Sequence, residues 1–311
     1  MLSVNLPSLA LDQTSLYFSD RNSGWKLLPE NMPTARIVPA VAAFEGKIYV
    51  FGGLPKESQG YYDPVIDGDT FEILKTATVY EISSGKWQDI SSLPDGEMFG
   101  AKTAVYENKI YIIGGRAFNQ ISPPAMAAPA RGVFNIPTWQ DRNVLPVWRR
   151  IWAYDPLSDT YEHVTDIPSE TRALIAYDVV IVDHILYLIG GSDFGPCGNY
   201  GIFRCRCHVH KTVIGFDLSK RLWMLDIRNL VHPRKSCCSF YDGHTIQVVG
   251  GHDEQEYKSA TQFLAIDEFG EYEHRWASIE RAPMGATFQS VQCSVPHSMI
   301  CKVLRWNKQD S

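Results

Sequence analysis

Three groups of side chains in this 311-residue sequence are of the types that make a binding or reactive site. Arg36, Arg172, Arg234 and Arg281 offer rigid guanidinium forks, which grip carboxylates or phosphates through paired hydrogen bonds. Glu97, Glu170, His232 and Glu280 are groups that can move a proton near neutral pH once their surroundings tune them. A second group is Cys197, Cys205 and Cys207 with His208 and His210, residue types that ligate zinc or iron. In an extended strand Cys205 and Cys207 point one way and the histidines the other, so four ligands cannot meet one ion without a bend. The three cysteines are therefore weak metal candidates, free thiols are the expected reading, and no cofactor is expected. The third group is aromatic: Tyr61, Phe118, Trp139 and Phe194, which in long loops serve as interface anchors or as the loops' own small cores. No phosphate loop, His-Glu-x-x-His or Gly-x-Ser-x-Gly motif occurs.

The elements that must position these residues come from a repeat. Four apolar runs end in a glycine pair: Lys47 to Gly53, Lys109 to Gly115, Ile185 to Gly191 and Thr245 to Gly251. Each follows another apolar run across a tight turn such as Glu45-Gly46 or Glu107-Asn108, which predicts a β-hairpin. A second hairpin follows, in which an acidic residue closes one strand and an aromatic lies six residues on: Glu81 with Trp87, Asp155 with Tyr161, Asp217 with Trp223. Weaker copies are Asp20 with Trp25 and Asp267 with Tyr272. These aromatics are expected to fill the wedges between sheets. Four short antiparallel strands per unit, repeated, describe the blade of a β-propeller.

The glycine pair with its downstream aromatic resembles the kelch repeat. Kelch repeats also carry an arginine thirteen residues before the second-strand tyrosine; Arg36 with Tyr49 fits that spacing, and Arg234 precedes Gln247 by the same interval. The resemblance implies an all-β kelch-type propeller, and counting the strand sets along the chain gives five four-stranded blades, with six as the alternative. The whole of residues 1–311 is expected to be one domain, with blade units near 35–92, 98–167, 171–228 and 234–279. The fifth unit would join strands C and D of residues 14–30 to strands A and B of residues 284–306, which would remove two open sheet edges.

In such a blade the A–B and C–D turns share one face, and the B–C and D–A loops share the other. The long insertions, Leu54 to Lys75, Arg116 to Arg149 and Ser192 to Lys211, all follow a glycine pair and so collect on the second face. Long loops on a rigid scaffold carry function. Arg36, Glu97, Arg172, His232, Arg234 and Arg281 would lie on that face, at the propeller mouth. In the kelch adaptors that the chain resembles, arginines at the mouth bind acidic peptide segments, and the leading expectation is a monomeric interaction module for a protein or peptide partner, an acidic segment included. Bacterial sialic-acid mutarotases look like kelch propellers too. That resemblance implies the alternative of a sugar-acid isomerase, with Glu97, Glu170, His232 or Glu280 as acid and base and the arginines as clamps. No BTB or F-box domain accompanies the repeats, so a stand-alone kelch protein is expected.

A net charge of -6 argues against a nucleic-acid backbone as the main partner. No stretch nears the ~20 apolar residues of a membrane span, and no signal peptide opens the chain. Seven cysteines, an odd number, make a poor disulfide framework. A cytoplasmic location, with the nucleus as a second compartment, is the expectation.

Overall fold

The computed structural model describes residues 17–20, 24–27, 31–36, 39–53, 74–94, 100–115, 149–171, 175–192, 208–253, 260–265 and 277–281. Strands β1 (Tyr17–Asp20) and β2 (Gly24–Leu27) form a hairpin. Four sheets of four strands follow: β3 (Ala40–Phe44), β4 (Lys47–Phe51), β5 (Ala77–Glu81) and β6 (Lys86–Ile90); β7 (Lys102–Tyr106), β8 (Lys109–Ile113), β9 (Arg150–Asp155) and β10 (Thr160–Asp166); β11 (Asp178–Val182), β12 (Ile185–Ile189), β13 (Val213–Asp217) and β14 (Leu222–Met224); β15 (Cys238–Tyr241), β16 (Thr245–Val249), β17 (Ala260–Ala265) and β18 (Ala277–Arg281). Each sheet is antiparallel with its strands in chain order, and the first strands of successive sheets adjoin: β3 with β7, β7 with β11, β11 with β15. The sheets are blades of a β-propeller, and their first strands surround its axis. The C-terminal strand pair expected to close the ring lies outside the described residues, and so does the closure.

Position within the blade explains the residue types. The second strands β4, β8 and β12 are buried at four of five positions, and β8 and β12 have a neighbouring blade on each face. A strand buried on both faces reads as a continuous apolar run. The outermost strands β6 and β10 are mostly exposed or half-buried. The A–B turns need left-handed backbone: Glu45 and Gly46 have φ of 46° and 72°, Glu107 and Asn108 of 44° and 63°.

The glycine pairs are required by close approach. Gly190 has φ of 66°, and a Cβ there would sit 2.3 Å from the carbonyl oxygen of Arg234. Only glycine lets the end of β12 touch the loop entering the next blade.

The aromatics repeat one geometry. Tyr80 and Trp87, Tyr154 and Tyr161, and Phe216 and Trp223 face each other across the outer hairpins at 5.1, 4.9 and 4.9 Å, tilted by 51°, 47° and 46°. The polar tips of two outer rings reach the preceding blade: the Tyr161 hydroxyl donates to the Ser91 carbonyl at 2.7 Å, and the Trp223 indole N–H to Thr165 Oγ1 at 3.3 Å. The ring bodies pack against apolar clusters between blades, Tyr161 against the one that includes Phe51, Ile110 and Tyr154, and Trp223 against the one that includes Leu186, Ile214 and Phe216. They fill wedges, as the repeat implied.

Candidate functional site at the long-loop face

The B–C excursions themselves lie outside the described residues, but their feet in blades one to three are described and bonded to each other. The Leu74 amide donates to the Gly53 carbonyl at 2.9 Å, Gly114 to Arg150 at 3.0 Å, and His210 to Gly191 at 2.8 Å. These feet lie beside a glycine pair, so three consecutive blades place the feet of their insertions at the same end of the propeller.

Arg36 and Arg234 occupy a different place from the one expected. Arg36 is 1% exposed and Arg234 0%. Arg36 Nη1 donates to the carbonyls of Gly52 and Thr76 at 2.7 and 2.8 Å, and Nη2 to Thr76 Oγ1 at 2.9 Å. Arg234 Nη1 donates to the Gly250 carbonyl at 2.7 Å. In both blades the arginine reaches the first glycine of its own pair. The guanidinium satisfies carbonyls freed where the inner hairpin ends, which is the physical sense of the arginine-to-tyrosine spacing. Burial lowers the Arg36 pKa to about 10, Asp89 acting weakly the other way, and the side chain stays charged at neutral pH. Both are buried rather than exposed at the rim, and their described hydrogen bonds go to backbone carbonyls and Thr76 and pin the fold.

His232 is exposed, and its backbone is held on both sides by the buried Gln262: its N–H donates to Oε1 and its carbonyl accepts from Nε2, each at 3.0 Å. Glu170 is exposed in the turn before Thr171, a turn braced by Arg149, whose Nη1 donates to the Pro168 and Thr171 carbonyls at 2.5 and 3.3 Å. Glu280 and Arg281 belong to β18. Glu97, Arg172, Tyr61, Phe118, Trp139, Phe194, Cys197, Cys205 and Cys207 lie outside the described residues.

Sequence reasoning missed a polar group at the channel end of this face. Lys102, Asp178 and Cys238 are the first residues of β7, β11 and β15. Lys102 Nζ lies 3.0 Å from Asp178 Oδ1, with side-chain exposures of 20% and 1%. The Ser239 amide of the next blade donates to the other Asp178 oxygen. One carboxylate thus ties three inner strands together. The available signal was a single charge opening each of two otherwise apolar runs, Lys102-Thr103-Ala104-Val105 and Asp178-Val179-Val180-Ile181. Beside the pair, burial pushes the Cys237 thiol up to about 12, so it is protonated and unreactive at neutral pH.

Among the described residues no three His, Cys, Asp or Glu side chains gather as metal ligands. His208 and His210 project to the same side, as their spacing implied, with ring centroids 4.9 Å apart.

The family model described as N-acetylneuraminate epimerase matches residues 1–122. "Kelch-like protein terF" of Aspergillus terreus is 24% identical over 254 residues, 81% of this chain and 46% of that protein. The repeat of this chain is similar to that of kelch proteins. The chain is also 29% identical to the N-acetylneuraminate epimerase of Haemophilus influenzae (strain PittEE) over 101 residues, 32% of the chain and 24% of the relative. "Kelch repeat and BTB domain-containing protein 1" of Vaccinia virus (strain Copenhagen) is 26% identical over 33% of the chain and 16% of its own length. The chain therefore spans less than half the length of each of these relatives. A solved structure described as "Structure of YjhT" superposes with a TM-score of 0.56 at 12% identity, covering 83% of this chain and 68% of that one, which is a likeness of fold.

Proposed function

We propose that the chain is a kelch interaction module that holds a partner's flexible segment on its long-loop face. The observation that carries this reading is the fastening of three long B–C excursions to one end of a rigid propeller. A scaffold of this kind fixes the feet of its loops and leaves their tips to recognise. Arg36 and Arg234 support it indirectly, since the two arginines best matched to the repeat are committed to backbone carbonyls rather than to a small acid. The test replaces residues 116–148 by a short Gly-Ser turn between Gly115 and Arg149 and screens both proteins against an array of Asp- and Glu-containing peptides. Binding by the parent and loss in the replacement, with an unchanged unfolding transition, is the expected result. Equal binding by both proteins overturns the role of this loop.

The second reading is a sugar-acid isomerase, favoured by the family match over residues 1–122. Exposed His232 and Glu170 and the Lys102–Asp178 pair would be its polar groups at the mouth. Proton NMR of N-acetylneuraminate anomers equilibrating with and without the protein separates the two. The module reading predicts equal rates; acceleration that falls about 100-fold on replacing one carboxylate would establish the isomerase.

A further inference from the structure

The opposite face, where the A–B and C–D turns gather, is also built like a docking surface. The two kinds of turn form one continuous layer: in blade one the Ile82 amide donates to the Gly46 carbonyl at 3.1 Å, and in blade three Leu218 donates to His184 at 2.8 Å. The outer positions of this layer carry aliphatic side chains open to water. Ile82 is 44% exposed, Leu222 61% and Leu157 96%, three of the five large hydrophobic side chains exposed among the described residues. Leu157 stands at a turn tip where a polar side chain would serve the fold equally well.

The inner positions of the same layer are acidic. Glu45, Glu107 and Asp183 are exposed and open the A–B turns of three successive blades. Among the described residues no lysine or arginine pairs with any of them. The nearby cations Lys109 and Arg221 are held by Glu162, and Lys220 by Asp217; Lys47 and Lys86 flank the blade-one turns and make no ion pair with the three acids among the described residues. The corresponding acid of blade four, Asp242, is used by its own turn, accepting from the amides of His244 and Thr245 at 2.9 and 2.7 Å.

We propose that this short-turn face is a second interaction surface, and that its occupant is a cationic protein segment. The segment's lysines or arginines would lie over Glu45, Glu107 and Asp183, and its apolar side chains over Ile82, Leu157 and Leu222. Charge complementarity selects this occupant: an acidic, unneutralised arc repels an anionic segment and an anionic lipid surface alike. The inference stands apart from the reading of the long-loop face, because it uses none of the same residues.

The test titrates the isotope-labelled full chain with a short peptide of alternating lysine and leucine, following amide shifts by NMR and affinity by fluorescence anisotropy. One variant combines Glu45→Gln, Glu107→Gln and Asp183→Asn; a second is Leu157→Ser; a control combines Asp89→Asn, Asp166→Asn and Asp226→Asn, removing equal charge elsewhere. Shifts confined to the short-turn face are expected. The first variant should weaken binding about tenfold at low salt, Leu157→Ser about threefold, and the control less than twofold. Equal weakening by the control, or shifts centred on Lys211 and His232, would overturn the surface. Binding of the chain to phosphatidylserine vesicles would overturn the occupant.

Discussion

The seam between blades one and two and the seam running through blades two to four join the same kind of strands by different chemistry. At the first, β3 meets β7 through a neutral contact, Thr103 Oγ1 donating to the Val41 carbonyl at 2.5 Å. Beneath it Tyr49, Phe51 and Tyr154 meet ring to ring, with centroids 5.6 to 6.5 Å apart. At the second, β7, β11 and β15 are joined by the Lys102–Asp178 pair and the Ser239 amide. The apolar seam gains from area removed from water. The charged seam gains little net free energy from its pair, but losing one partner strands a buried charge. The two seams should therefore respond differently to substitution, salt and pH.

The largest effect is expected at the charged seam. Asp178→Ala should lower the unfolding free energy by about 3–5 kcal/mol in urea titrations, because it leaves Lys102 without its counter-ion and Ser239 without its acceptor. A loss below about 1 kcal/mol would place the joint elsewhere. Next come the arginine pins, one on each side of the comparison. Arg36→Ala should cost about 3 kcal/mol, since the Gly52 and Thr76 carbonyls lose their donor. Arg234→Ala, which removes one bond to Gly250 among the described residues, should cost about 2 kcal/mol. Equal, negligible costs at both would restore the arginines to the rim as ligand groups. Thr103→Val at the neutral seam should cost only about 1 kcal/mol, and its effect should not change with salt.

The smallest effect is in alkali. The Cys237 thiol is raised to about 12 by burial, with Asp178 acting in the same direction. The folded state holds this proton more tightly than the unfolded chain does. Its contribution is complete below the ordinary thiol pKa and is lost as pH rises from there towards about 12. Stability measured across that window should fall less steeply in Cys237→Ala than in the parent. At neutral pH iodoacetamide should reach Cys237 only on unfolding.

Sequence made the blade legible because glycine pairs, tight turns and acid–aromatic spacing report backbone and packing constraints that recur in every unit. Arg36 with Tyr49 was legible as a spacing, but where the guanidinium ends depends on carbonyls sixteen and forty residues away in chain number. Arginine at a loop reads equally well as a rim clamp or an interior pin, and only burial decides. Lys102 and Asp178 were illegible because their partnership crosses blades: each is one charge at the start of an apolar strand, with nothing local to mark the other. The orientation of His208 and His210 was legible because it follows from strand alternation alone.

The most direct measurement is a double-mutant cycle of urea unfolding with Lys102→Met, Asp178→Leu and the pair. If the inner strands are tied by this buried ion pair, each single variant loses about 3 kcal/mol or more and the double variant recovers most of it, a strong non-additivity. Additive losses, or single variants as stable as the parent, would contradict a charged seam holding blades two, three and four together.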